Sequence, residues 1–394
     1  MKKKKRFWSY LKTLLLFGSL IIGIALSGIA ALNMKLPSSS SHPDRLSESE
    51  QHLLSEITHL RTSIGAEIWP GWSEPEIPIV LFNESHVFFE GTHNAALSIG
   101  WTRIPYKSTF GSSWYLMNGE IDYYRQALPE NGETPEAFVV QVGDRFAASM
   151  TTKEWTKISL VQMIKNDLPG FLKPVFPYQL FIWQFDSDRH IASVLHESFH
   201  AFQALQNYER FENAEKFNSL YDLYPWSNSD FRQFWVDERH LLAKAINEPN
   251  EEKAKSLVMD WLSVREIRRA SLSEKLILYE KEREWLEGLA KYAEIKSWQL
   301  AADNEEYIPL AEMKEDPDFN FYRDGEKNYH KELRQLKSDL GFSESIFYYS
   351  GWAQAELLDR FYPNWKETAL QSDVYLEDLL LQQCVPLDCG ITLK

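Results

Sequence analysis

The chain has 394 residues, 44% hydrophobic and 14% aromatic, which is ample for a sizeable core and excludes disorder along its length. Its formal net charge is −15 with no basic patch beyond the first residues, which excludes a nucleic-acid-binding surface and leaves no nucleic acid among the expected partners. It has no Gly-x-Ser-x-Gly elbow, no Gly-rich phosphate loop and no Gly-x-Gly-x-x-Gly fingerprint, so a serine hydrolase, an ATPase and a dinucleotide enzyme are set aside.

The chain opens with Met1-Lys2-Lys3-Lys4-Lys5-Arg6 and then runs uncharged over residues 13–34, rich in Leu, Ile, Gly and Ala. Such a stretch can cross a hydrocarbon core of about 30 Å, and the positive charges before it put the N-terminus in the cytoplasm. Residues 1–36 therefore read as a basic cytoplasmic stub and a transmembrane signal anchor, which makes the membrane a partner through the N-terminal helix. A secretory signal peptide is the alternative, since Gly28-Ile29-Ala30-Ala31 offers small residues where a peptidase can cut, although the apolar run is long for a cleaved signal. Both readings place the globular part outside the cytoplasm. Residues 37–45, which begin Pro37-Ser38-Ser39-Ser40-Ser41-His42-Pro43, read as a flexible tether lifting the domain off the membrane.

Residues 46–150 are expected to hold one helix and a small sheet. Leu46, Leu53, Leu54, Ile57, Leu60 and Ile64 recur at helical spacing until Trp69-Pro70-Gly71-Trp72 stops them. The period then changes, with short β-type runs at 77–82, 87–89, 113–116 and 137–142 separated by Asn-Gly, Gly-Asp and Pro-rich turns. A mixed or antiparallel sheet here serves as a scaffold, or as one wall of a cleft that binds an extended substrate by edge addition.

Residues 151–394 are almost wholly helical in pattern, with runs expected at 231–246, 251–269 and 271–301, no internal repeat, and an irregular acidic stretch at 303–329 bordering the cleft. Within them lies Val194-Leu195-His196-Glu197-Ser198-Phe199-His200-Ala201-Phe202. Residues four apart on a helix lie about 40° apart, so both imidazoles can reach one cation. Neutral imidazole suits Zn²⁺, and Glu197 stands where it can take a proton from water at the metal without being a ligand. Asp186, Ser187 and Asp188 are N-cap candidates, and Ile191, Val194, Leu195, Phe199, Phe202 and Leu205 form an apolar face that buries the histidines. Two buried imidazoles one turn apart need partners: a shared metal is the simplest, and hydrogen bonds within a core are the bland alternative. His190 points elsewhere and is expected at the surface or behind the ligands. Cys384 and Cys389 make a poor zinc site and are read as a local disulfide or as free thiols.

A catalytic zinc takes three protein ligands and keeps a fourth position open. Nothing soon after His200 supplies the third, because Gln203-Ala204-Leu205-Gln206-Asn207 follows. A carboxylate on another helix is required. Glu287 is the first candidate, with Glu238, Asp237 and Glu294 as rivals that can equally support a ligand imidazole, and His240 as a ligand only in a different fold. Against Glu287 stands a solvated helix face, because Glu280, Glu284, Lys291 and Glu294 fall on nearly the same side.

His196-Glu197-x-x-His200, followed on a later helix by Glu287-Gly288-x-Ala290-x-Tyr292, resembles the gluzincin peptidases, the thermolysin-like and aminopeptidase-like clan, over about residues 186–360. The resemblance implies Zn²⁺ on His196, His200 and Glu287, Glu197 as general base, and a close approach of the second ligand helix to the first at Gly288 and Ala290. It departs from the clan's aminopeptidases in spacing, because Glu287 follows His200 by 87 residues, so helices are inserted between the ligands. In Tyr348-Tyr349-Ser350-Gly351 the Tyr-x-x-Gly of the aminopeptidase-like members implies Tyr348, or its neighbour Tyr349, as donor to the developing oxyanion. The expectation is an α+β chain in which a small β-sheet region precedes a mainly helical, zincin-like catalytic core. Its function would be that of a membrane-anchored, extracytoplasmic zinc metallopeptidase acting on a peptide or protein substrate. A non-catalytic zincin-fold envelope protein that binds a peptide or protein partner is the alternative.

Overall fold

The computed structural model describes residues 2–91, 100–105, 108–111, 113–338 and 342–384, with side chains from residue 17 onward. The chain begins as helix α1 (Lys2–Asn33). Among the described residues no helix is long and apolar enough to cross a membrane, and the side chains of residues 13–16, at the start of the expected span, lie outside them. The stretch 37–45, expected as a flexible tether, is held along the domain instead. Ser40 donates to Glu84 and Ser41 to Glu154, while the Pro43 carbonyl accepts from Asn83 and Ser85. A serine run is flexible only while its donors face water, and here two carboxylates take them up.

Helix α2 (Glu48–Ile68) starts at Ser47, whose hydroxyl accepts from the Glu50 amide, and ends at Trp69 just before Gly71 turns the chain at φ 82°. The sheet follows: β1 (Ile79–Phe82), β2 (His86–Glu90), β3 (Trp101–Arg103), β4 (Thr109–Phe110), β5 (Tyr115–Asn118), β6 (Asp122–Ala127), β7 (Phe138–Val142) and β8 (Arg145–Thr151). Its order is β4-β3-β7-β8-β1-β2-β6-β5, and β1–β8 is the parallel pair in an otherwise antiparallel, hence mixed, sheet. Alternation sorts the faces: Ile79, Leu81, Phe88 and Val139 join the main core with the helices, while Val80, Phe82, Val87 and Val140 join a second cluster with Trp101 and Trp114. Strands β6 and β8 escape a search for β-branched runs, because Asp-Tyr-Tyr-Arg-Gln-Ala and Arg-Phe-Ala-Ala-Ser-Met-Thr are strands by pairing rather than by propensity.

The rest is helical: α3 (Lys153–Asp167), α4 (Gln179–Ile182), α5 (Ser187–Gln206), α6 (Tyr208–Lys216), α7 (Ser229–Asn247), α8 (Glu251–Arg269), α9 (Glu274–Asp303), α10 (Gly325–Leu336), α11 (Ser345–Phe361), α12 (Lys366–Ala369) and α13 (Leu376–Cys384). Helix α5 lies between the sheet, at β7 and β8, and α9, which packs on α11. The solvated face weighed against Glu287 is not found on α9, because Glu280, Glu284, Glu287 and Lys291 are buried and Glu294 is half-buried. Arg265, Arg268 and Arg269 of α8 meet Glu238 of α7, Glu280 and Glu284 of α9 and Glu377 of α13 in one buried network, with Lys281 also on Glu377. Four cations thus face four carboxylates, the balance that buried charge requires.

Residues 304–324, expected beside the cleft, line none of the cavity formed by Lys291, Glu294, Glu344, Ser345, Tyr348 and Tyr349. They pack over α2 and the start of α5: the Tyr307 and Tyr322 hydroxyls donate to Glu56, and the Asn320 and Tyr322 amides donate to Asp188. Cys384 is buried. Cys389, and with it the Cys384–Cys389 pairing, lies outside the described residues.

Candidate metal centre

The His-Glu-x-x-His run sits mid-way along α5, which Asp186 caps by accepting from the Arg189 amide. His196 and His200 are 7% and 1% exposed, and Glu287, on the facing helix α9, is 3% exposed. The three converge on one oxygen, with Glu287 Oε2 at 3.4 Å from His196 Nε2 and 3.3 Å from His200 Nε2. Ligands held at about 2.0–2.1 Å around a tetrahedral centre stand roughly 3.3–3.4 Å apart, so these two edges have the length that Zn²⁺ ligation requires.

The outward side of each group is tied down. His196 Nδ1 donates to Glu294 Oε2 at 3.1 Å. Gln203 spends its amide protons on the carbonyls of Trp285 and Leu286, which turns its Oε1 to His200 Nδ1 at 2.9 Å. An oxygen there can only accept, so His200 carries its proton on Nδ1 and its Nε2 lone pair faces Glu287. Arg283 binds the other oxygen of Glu287 at 2.6 Å and also Glu215 and Glu344, leaving Oε2 for the histidines.

The charge states follow from this packing. Burial works against an ionised Glu287, yet Arg283 first, and then the hydrogen bond from His196, outweigh it and hold the carboxylate well below its usual range. Burial lowers His200. It would lower His196 too, but hydrogen bonds to Glu287 and Glu294 raise that imidazole to about 10. Glu294 falls to about 2, because Lys291 and His196 overcome its burial. The pocket therefore prefers a cation between its carboxylates and imidazoles, and a proton on His196 meets that demand in part.

Glu197 presents an oxygen within 4.8 Å of ligand atoms on both histidines, and burial, the largest influence, raises it to about 8. Tyr348 of α11 stacks on His196 with ring centroids 5.7 Å apart and an interplanar angle of 12°. Its hydroxyl, hydrogen-bonded to Glu287, is pushed well above its usual range, first by burial and then by that carboxylate. Tyr349 turns away and donates to Glu332 at 2.8 Å. Beside them opens a cleft of about 400 Å³ lined by Lys291, Glu294, Glu344, Ser345, Tyr348 and Tyr349. On the sheet side Phe138 of β7 lies 5.0 Å from the His200 ring. Strand β7 is paired on both sides, by β3 and β8, so it offers no free edge for a substrate strand next to the histidines.

The other candidates lie elsewhere. Glu238 belongs to the arginine network, Asp237 is exposed on α7, and His240 faces the Lys337 carbonyl. Glu294 stands behind His196 as its hydrogen-bond acceptor. His190 is not at the surface: it is 5% exposed in the first turns of α5, and burial followed by Lys153 and Lys157 lowers it to about 3. Gly288 does not serve the approach of α9 to α5. A Cβ there would meet Gly351 Cα at 2.4 Å, and one on Gly351 would meet the Glu284 carbonyl oxygen at 2.3 Å, so this glycine pair sets the contact of α9 with α11 and thereby the position of Tyr348. Gln203, Arg283 and Lys291 were not singled out from sequence, although Gln203 follows His200 by three residues and Arg283 precedes Glu287 by four, the spacings at which helical side chains meet.

No protein-family model, no curated protein and no solved structure matches this chain.

Proposed function

We propose that this protein is a Zn²⁺-dependent metallopeptidase, anchored by its N-terminal helix with the catalytic region outside the cytoplasm. The observation that carries the reading is a pair of acceptors in contact: the lone pair of His200 Nε2 faces the ionised Oε2 of Glu287 at 3.3 Å in a buried pocket. Two acceptors at that distance repel unless a cation lies between them. His196, His200 and Glu287 would hold the ion, and a bound Zn²⁺ supplies Lewis acidity toward a carbonyl and toward water.

The chain's own groups supply the rest. Glu197, whose oxygen lies within 4.8 Å of ligand atoms on both histidines, can accept a proton from the attacking water and return it to the leaving amine. Tyr348 stays protonated at any physiological pH and so remains a donor for a developing oxyanion. Arg283 keeps Glu287 ionised and oriented, and Phe138 keeps water from the sheet side of His200. The basic run at residues 2–6 followed by the uncharged run at 13–34 supports the anchor and its orientation.

The test is metal content and peptide hydrolysis of the full-length protein beside His196→Ala, Glu287→Ala and Glu197→Gln. About one zinc per chain is expected in the wild type and in Glu197→Gln, and is lost in the two ligand variants. Hydrolysis of a mixed peptide library should vanish in Glu197→Gln. Hydrolysis retained there removes Glu197 as the base. A wild type that takes up no metal ends the reading, and metal without hydrolysis of any peptide leaves a binding protein in place of an enzyme.

A further inference from the structure

Among the described residues fourteen large hydrophobic side chains are exposed outside α1, and six of them fall in one short stretch: Met163, Phe171, Leu172, Leu180, Phe181 and Trp183. Singly scattered apolar residues are ordinary on a protein surface, but a run of this density marks a surface meant to be covered. Phe171 and Trp183 are 78% and 75% exposed, so they are not incompletely packed core.

The position of the stretch identifies the cover. The last residue of α1, Asn33, donates through Nδ2 to the carbonyls of Pro174 and Phe176, both at 2.8 Å. Leu36 and Pro37 then line a small cavity together with Ile158, Val161 and Ile182. The end of α1 is thus fastened to the patch, and α1 itself presents Phe17, Leu20, Ile21 and Ile24 at 57–65% exposure. Wherever α1 leaves an apolar phase, Pro174 and Phe176 are hydrogen-bonded at its exit, and Ile182 lies beside Leu36 and Pro37 just beyond it. The composition suits that depth, with the exposed aromatic residues Phe171, Phe181 and Trp183 in the patch, and with Lys165 and Lys173 against Asp167 in a chain whose net charge is −15.

We infer that residues 163–183 form a second membrane contact, a monotopic shelf that lies in the headgroup region beside α1 and holds the metal centre at a set height over the bilayer. The inference rests on the reading of residues 1–36 as a membrane anchor. Helix α5 begins four residues after Trp183, so the histidines are linked to the shelf by one helix, with no tether between.

The test labels the full chain, in a Cys384→Ser, Cys389→Ser background, with an environment-sensitive fluorophore at one introduced cysteine: Leu20→Cys, Phe171→Cys, Trp183→Cys or, as references exposed outside the patch, Ile267→Cys and Ile308→Cys. Each variant is reconstituted into phosphatidylethanolamine and phosphatidylglycerol vesicles carrying a nitroxide lipid. Labels at 171 and 183 should shift to the blue and be quenched at least about half as strongly as the label at 20, with 267 and 308 unaffected. Quenching at 20 alone overturns the shelf and leaves the anchor standing, whereas no quenching at 20 removes the anchor and the shelf together. Labels at 171 and 183 that are shielded from water yet unquenched by lipid also overturn the inference, because a protein then covers the patch.

Discussion

Replacing Gly351 by Ala tests whether the glycine pair between α9 and α11 positions the candidate centre. The added Cβ would stand 2.3 Å from the Glu284 carbonyl oxygen and 2.7 Å from Gly288 Cα. Close carbon–oxygen contacts between helices lie at about 3.3–3.6 Å, so the two backbones must part by roughly 1 Å. Neither contact atom is a side chain that can swing away. Overpacking of this kind costs about 1–3 kcal/mol, offset in part by the gain of up to about 1 kcal/mol from replacing glycine within a helix. A net loss of about 1–2 kcal/mol should lower the melting temperature of a chain this long by a few degrees. Tyr348, less than one turn away, moves with the helix and loses its stacking on His196, and a displacement of about 1 Å can cost about a hundredfold in turnover. Calorimetry, metal content and peptide hydrolysis read the three effects separately: a lower melting temperature, near-normal zinc and much reduced hydrolysis are expected. A Gly351→Ala protein that melts at or above the wild-type temperature would refute the packing argument.

Other outcomes follow from the same geometry. Gln203→Leu removes the acceptor that keeps the His200 proton on Nδ1, and zinc affinity should fall about 10–100-fold in competition with a chromophoric chelator, with little change in helix content. An unchanged affinity would mean that the tautomer is set elsewhere. Glu280, buried against Arg268 and Arg269, has its pKa lowered from 4.5 to about 2. Its contribution to stability is therefore complete above about pH 4.5, where the unfolded chain is also ionised, and is lost as pH falls toward 2, up to about 3 kcal/mol in all. The melting temperature should drop steeply between pH 5 and pH 3 as measured by circular dichroism, and a flat profile would refute this. Arg283→Met strips Glu287 and Glu215 of their shared cation, and leaving buried carboxylates unpaired should destabilise the fold by about 3–5 kcal/mol as read by urea titration.

The local signals were legible because they depend only on spacing. The His196–His200 pair, the Asp186 cap and the arrest of α2 at Trp69 all lie within a turn or two of the residues that cause them. Strands β1, β2 and β7 announced themselves by apolar runs. Strands β3, β4, β6 and β8 did not, because their stability lies in their neighbours: β8 is a strand because β1 and β7 pair with it on its two sides. The serine run at 38–41 misled for the same reason, since composition does not show that Glu84 and Glu154 stand opposite its donors.

By itself the sequence determined that two imidazoles share one face of a helix, that Glu197 stands beside them, and that an acidic, mainly helical chain with a short β region carries them. It left the facing carboxylate undecided. Helix α9 spells Glu-Lys-Glu-Arg-Glu over residues 280–284, a pattern identical for a solvated face and for one buried against arginines. Which it is depends on α8 supplying Arg265, Arg268 and Arg269 to Glu280 and Glu284, while Arg283 turns Glu287 to the histidines. Spacing along one helix fixes directions within that helix; which side chains meet across 87 residues of chain is settled by packing, where charge must find its partner or remain in water.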